Sequence, residues 1–149
     1  MAIDNDGKFK AALNKLSRAG QRQVGARFAE SVLVLSKDAR VKNAINTAKR
    51  NDITEDELAT AFQSAKKASV DSFTQCGKEC DWNSQAGHFV AQAALACLDP
   101  GASPAWDAAM HARMARTSES IATGIGTDNA ETAVQYRILD KYLAEGNAS

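Results

Sequence analysis

The sequence predicts an all-α fold, an antiparallel bundle of six or seven helices around an alanine-rich core. Three observations carry that expectation. Apolar residues recur at intervals of three and four almost everywhere. No segment sustains the two-residue alternation of a half-buried strand. The composition joins abundant alanine to only two prolines and 6% aromatics, and alanine fixes a helical backbone at the lowest entropic cost. At 149 residues the chain is expected to form one domain over 1–149, with a short N-terminal helix inside 1–19 and a frayed tail at 145–149.

The elements follow in order. Phe9, Ala12, Leu13 and Leu16 mark a first short helix, and Gly20 is read as its break. Val24, Phe28, Val32 and Leu35 mark a second from about Gln21 to Ser36. Val41, Ala44, Ile45 and Ala48 mark a third, with Ser36 or Asp38 as its cap and "KRNDIT" as its stop. In "TEDEL", Thr54 and Glu57 have the spacing of a capping box, and Glu55 and Asp56 suit the positive end of a helix. That fourth helix carries Leu58, Ala61, Phe62, Ala65, Ser69 and Phe73 until "QCGKECDW" interrupts it. Ala86, Phe89, Val90, Ala93, Ala94 and Cys97 form one face of a fifth, which Pro100 and Gly101 end. Ser103 and Pro104 start a sixth with Trp106, Ala109, Met110, Arg113, Met114, Thr117 and Ile121 on one face. After the turn "TGIGTDN", a last helix to Ala144 is expected to bury some of Ala133, Val134, Ile138 and Tyr142. Phe28, Phe62, Phe73, Phe89, Trp106 and Tyr136 or Tyr142 are the expected large core plugs. Short connections should leave sequential helices antiparallel neighbours.

Charge is balanced overall but divided along the chain. Residues 1–50 carry eleven Lys and Arg against four Asp and Glu, net +7, and residues 51–149 carry seven against fourteen, net −7. The simplest expectation is that the two parts face each other in the fold. The sharper one is a basic patch of Lys8, Lys10, Lys15, Arg18, Arg22 and Arg27 for an acidic partner; with little aromatic interleaving and no helix-turn-helix pattern, nucleic acid is not expected. The N-terminus lacks a basic stretch followed by an apolar run, and nothing approaches the roughly 20 apolar residues of a membrane span. A soluble cytoplasmic protein without membrane partners is expected.

Few residues carry chemistry. "CGKEC" places Cys76 and Cys80 four apart, and with Glu79, Asp81 and His88 they could surround a metal; no second Cys/His pair completes such a site, and none is expected. A redox disulfide between Cys76 and Cys80 needs a bend at Gly77. The odd cysteine count favours reduced thiols. Cys97 and His111 lie on consecutive helices, but Cys97 falls on an alanine-lined face with no positive charge to form its thiolate. No phosphate cradle is present, since "GIGTDN" follows a helix and lacks lysine. No catalytic residue, cofactor or metal is therefore assigned. His88, Trp106 and His111 remain as an alternative, a small-ligand or enzyme pocket between the fifth and sixth helices.

"GARFAESVLVL", "KDARVKNAINTAKR" with Asp38, Arg40, Ala44 and Ile45, "DELATAFQSAKKASVDS", "AGHFVAQAALACL" and "AWDAAMHARMA" resemble the immunity-protein family of bacterial polymorphic toxin systems, the set like immunity protein five. The likeness spans about Arg22 to Tyr142, and its motifs are an acid and an arginine two apart before an Ala-Ile step and a later Ala-Gly-His triplet. A histidine expected about six residues after His88 is Ala94 here. The resemblance implies an all-helical, noncatalytic protein of the bacterial cytoplasm that binds and neutralises a cognate toxin; separately, apolar residues exposed on the last helix would suit a homodimer. Asp38 and Arg40 can equally cap a helix and brace its neighbour. For a basic toxin, Asp52, Glu55, Asp56 and Asp107 would supply the partner surface.

Overall fold

A computed structural model describes residues 3–78, 81–99, 101, 103–127 and 129–146, with side chains left out at 76–78. Among the described residues seven α-helices follow one another: α1 Asp6–Asn14, α2 Arg18–Ser31, α3 Ala39–Ala48, α4 Glu55–Lys78, α5 Trp82–Leu98, α6 Pro104–Ala122 and α7 Glu131–Ala144, with a 3₁₀ turn at Leu33–Leu35 between α2 and α3. No strand occurs among the described residues, and none of their helices is long and apolar enough to cross a membrane.

Local chemistry sets most of the helix starts. Asn5 accepts from the Lys8 amide, Ser17 from Gly20, Asp38 from Arg40 and Asp81 from Ser84, so four helices begin on a side-chain oxygen. The capping box closes both ways: the Glu57 amide donates to Thr54 Oγ1 at 3.1 Å, and the Thr54 amide donates to Glu57 Oε1 at 3.2 Å. Pro104 occupies the first turn of α6. At its other end Gly124 takes φ 82°, and the Ile125 amide reaches back to the Ser120 carbonyl.

Two buried clusters share α2 and α6. One joins α2 through α6 over Ala29, Ile45, Ala65, Val90, Ala94 and Ala112; the other joins α1, α2, α6 and α7 over Phe9, Leu13, Phe28, Ala109 and Leu139. The broadest helix contact is α5 on α6, where alanines meet on both sides, and α2 packs chiefly on α6 and α5, not on its sequence neighbours. A Cβ on Gly25 would stand 3.0 Å from Cys97 Cβ and 3.4 Å from Ala105 Cα. Only a missing side chain lets α2 settle that close to the α5–α6 pair.

Several expectations are corrected. Gly20 is not a break: Ser17 caps α2, and Gly20 is buried in its first turn. α2 stops at Ser31, five residues early, because the chain tightens into the 3₁₀ turn. Phe73 continues the apolar period of α4 past the end of the core and is 69% exposed, so it is no plug. The buried face of α6 is Ala105, Ala108, Ala109, Ala112 and Ala115, with Met114 exposed. Of the α7 candidates Tyr142 is buried as expected, whereas Ala133 is exposed and Val134 and Ile138 are half-buried, and Glu131, Gln135 and Leu139 complete the inward face. Glu145, placed in the frayed tail, forms an ion pair with Arg27 at 2.8 Å; 147–149 lie outside the described residues, as does Pro100.

Candidate functional site

A groove of about 600 Å³ opens where the 3₁₀ turn, the start of α3, the second half of α4 and the start of α5 converge. Its floor is small and apolar, with Val41, Ala68, Ala86, Gly87 and Ala91, and its walls include Ser36, Ser72, Gln75, Ser84 and His88. Val34, 82% exposed, stands at its edge. Asp38 and Lys37 also line it. Asp38 is engaged twice over: it accepts from the Arg40 amide at 2.9 Å and takes a two-pronged contact from the Arg40 guanidinium, Nη2 at 2.7 Å. Arg40 Nη1 then reaches Asp71 on α4 at 2.8 Å. The hydrogen bonds from Arg40 hold the Asp38 carboxyl below its ordinary range, and those two carboxylates raise the Arg40 guanidinium in turn. Asp38 and Arg40 thus fasten the start of α3 to α4.

His88 sits in the groove wall with both ring nitrogens engaged. Its Nδ1 is 2.7 Å from Ser72 Oγ, and its Nε2 is 3.2 Å from Gln92 Nε2. The Ser72 hydroxyl donates its single proton to the Ser69 carbonyl at 2.9 Å. With that proton on the Ser69 carbonyl, the assignment that fits the contacts has His88 Nδ1–H donating to Ser72 Oγ and Nε2 accepting from the Gln92 amide, a neutral imidazole. Burial, aided by the nearby His111, pushes His88 below the usual histidine value. His111 lies on α6, stacked on Phe89 at 6.4 Å, while Phe89 stands 5.9 Å from His88 and Phe73 5.7 Å from it on the other side. The order Phe73, His88, Phe89, His111 makes one row of rings across α4, α5 and α6. His111 Nδ1 is buried with no hydrogen-bond partner, and burial lowers its pKa against a smaller opposing effect of Asp107.

The two imidazoles are neighbours through Phe89, but Trp106 does not join them. It faces the other flank of α6, 6.1 Å from Phe9 and under the Lys10 ammonium at 4.9 Å. Of His88, Trp106 and His111, only His88 lines the groove.

The four acids are likewise divided. Asp56 lines a second, shallower cleft of about 380 Å³ between α3 and α4, with Asn43, Thr47, Thr60 and Ser64. Glu55 adjoins it in sequence, and Asp52 lies in the preceding loop, weakly paired with Arg50 at 3.4 Å. Asp107 belongs to α6, whose main packing partners include neither α3 nor α4.

Most of the expected basic patch is engaged within the fold. Lys8 pairs with Asp4, Lys10 covers Trp106, and Arg27 pairs with Glu145. Arg22 donates to the Ala48 and Arg50 carbonyls, closing the C-terminal end of α3. Arg27–Glu145, Arg40–Asp71 and Arg50–Glu57 join the basic part of the chain to the acidic part. Cys97 is buried, its thiol donates to the Ala94 carbonyl, and burial pushes its pKa up to about 12, so it holds no thiolate at neutral pH. The side chains of Cys76, Glu79 and Cys80 lie outside the described residues. Among the described residues, no group of three or more His, Cys, Asp or Glu is placed to hold a metal ion.

The periodicity of α7 gave no sign of its polar docking. Glu131, 3% exposed, accepts from Ser31 Oγ at 2.6 Å and Arg116 Nε at 3.2 Å. Gln135 accepts from Arg113 Nε at 2.8 Å and donates to the Ala109 carbonyl at 2.9 Å. Arg113 continues to Asp6, which also accepts from the Tyr136 hydroxyl. The only prior signal was two polar side chains four residues apart, a pattern equally suited to an exposed face. No family model, curated protein or solved structure matches the chain.

Proposed function

We propose that this protein is a noncatalytic, immunity-like binder that acts in the bacterial cytoplasm by neutralising a cognate toxin. The observation that carries the reading is the state of His88: its two ring nitrogens are both engaged within the protein, so the imidazole facing the main groove has no nitrogen left over as a general base. The resemblance around Asp38, Arg40 and His88 supports the same reading, with these residues shaping the fold and exposed ones recognising the partner. Asp56, which lines the cleft between α3 and α4, with Glu55 and Asp52 close to it in sequence, supplies the contact acids for a basic toxin. Asp107 lies apart from them.

The test is to co-express the chain with a toxin encoded beside its gene. Growth should be rescued by the native protein and by His88→Gln, and lost with a Glu55→Lys/Asp56→Lys double variant that stays folded. A neighbouring toxin that kills regardless, or rescue that depends on His88 alone, overturns the reading. The dimensions of the groove favour one second reading, since about 600 Å³ falls within the range of small-ligand sites. In that case a small molecule raises the melting temperature, and Ser84→Trp, which fills the groove, abolishes the rise.

A further inference from the structure

The two ends of the chain meet on one flank of the bundle. α1 and α7 both lie on α2 and α6, and the cluster they complete takes Phe9 and Leu13 from α1, Val24 and Phe28 from α2, and Leu139 and Tyr142 from α7. The other cluster draws no residue from either helix, since all of it lies between Ala26 and Ala115. α2 through α6 therefore hold a core of their own. The fastening of α1 to α7 is mostly polar and passes through one carboxylate. Asp6 accepts from the Tyr136 hydroxyl at 2.8 Å and from both terminal nitrogens of Arg113 at 2.9 and 3.0 Å, while Arg113 Nε reaches Gln135. The Ile3 amide donates to the Asp140 carboxylate at 3.3 Å, and the Phe9 ring rests 5.3 Å from that of Tyr136. Two of the four buried residues of α7, Glu131 and Gln135, are polar. Such groups recover water when they undock, so their release costs less than baring apolar surface. α7 also packs more lightly on α2 and α6 than α5 does on α6. The loop that joins it to α6 carries Gly124 and Gly126 at positive φ with open space around each.

We propose that α1 and α7 are one latch, closed through Asp6, that leaves α2 and α6 as a unit while α2 through α6 remain folded. Lifting α7 takes Tyr136 away from both Asp6 and Phe9. What then remains of α1 is a helix of nine residues, too short to keep its form without support. Lifting α1 in turn strips Asp6 from Tyr136 and the Ile3 amide from Asp140. Neither helix keeps its full set of partners alone, which makes the opening cooperative. It bares Val24, Phe28, Ala105 and Ala109, so this apolar flank of the bundle meets solvent only in the open state. The inference does not depend on the toxin reading.

The test is native-state hydrogen exchange read by mass spectrometry on the full chain, under conditions where reclosing outpaces exchange. Residues 9–13 of α1 and 135–142 of α7 should share one protection factor, roughly tenfold or more below that of residues 90–94 in α5. Asp6→Ala should lower protection in α7 as well as α1, and Tyr136→Phe in α1 as well as α7, each by roughly tenfold for the lost charge-assisted bond. Asp38→Ala, at the start of α3, should leave both helices unchanged. Protection of α1 and α7 equal to that of α5 overturns the proposal. So does an Asp6→Ala effect confined to α1, a Tyr136→Phe effect confined to α7, or an equal loosening of both by Asp38→Ala.

Discussion

The carboxylate of Glu131 is buried in the first turn of α7, and Arg116 Nε donates to it at 3.2 Å from the neighbouring helix. Arg116 also donates to the Ser31 carbonyl at 3.0 Å, so one guanidinium holds α2, α6 and α7 together. Removing the carboxylate takes away the buried anionic partner of Arg116, which keeps only the Ser31 carbonyl and Glu119 at 3.5 Å, while the Ser31 hydroxyl retains the Phe28 carbonyl at 2.7 Å. Glu131→Ala should therefore cost on the order of 2–3 kcal/mol, at the low end for a broken buried pair because Arg116 retains some solvent. Glu131→Gln, which keeps an acceptor oxygen, should cost less. Urea unfolding followed by circular dichroism checks both, and equal losses would remove the charge from the account.

The α2–α5–α6 junction should resist enlargement. Ala93 is fully buried, and Gly25 has Cys97 Cβ and the Ala105 backbone within van der Waals distance of any added carbon. Gly25→Val and Ala93→Leu should each destabilise by about 1–3 kcal/mol through overpacking. Phe73→Ser, removing a larger group from an exposed position, should stay within about 0.5 kcal/mol. A reversed order would mean that the aromatic row contributes more than the alanine packing.

Stability should fall on mild acidification. His88 and His111 are both held below the ordinary histidine value, chiefly by burial. The unfolded chain accordingly takes up protons first as pH drops through about 6.5, and stability declines from there until the native rings protonate too. Above that window these groups impose no slope. Proton NMR should show both imidazoles titrating below the unfolded value, and a melting temperature that rises between neutral pH and pH 5 contradicts the assignment.

Asp38 should matter to folding more than to recognition. As the cap of α3 it accepts from the Arg40 amide while binding the Arg40 side chain, so Asp38→Ala should cost about 1 kcal/mol. Arg40→Lys keeps the charge but cannot make the two-pronged contact, and it should loosen α3 measurably by hydrogen exchange. If either variant abolishes partner binding while leaving exchange unchanged, the pair belongs to the contact surface.

The parts of this fold that were legible in the sequence are those decided within a few residues. Thr54 and Glu57 cap where their spacing said, and Asp38 is the one of the two candidates, Ser36 and Asp38, that caps α3, because a cap is made by a side chain and the next turn of its own helix. Phe73 misled because periodicity does not show where a long helix outruns its core. The inward face of α7 misled for the opposite reason: Glu131 and Gln135 are buried by virtue of Arg116 and Arg113, whose arrival from α6 is a tertiary event. At the candidate groove only His88 of the three ring residues named from the sequence is present, because only the fold could set Phe89 between the two histidines and turn Trp106 to another flank.

The enclosed thiol of Cys97 offers a clock. Buried and with its pKa pushed up to about 12, it is expected to resist alkylating reagents until α2 and α6 part from α5. With reagent in such excess that alkylation outpaces reclosing, the rate at which mass spectrometry detects label at that one position is the opening frequency of the alanine junction, measured without any engineered probe.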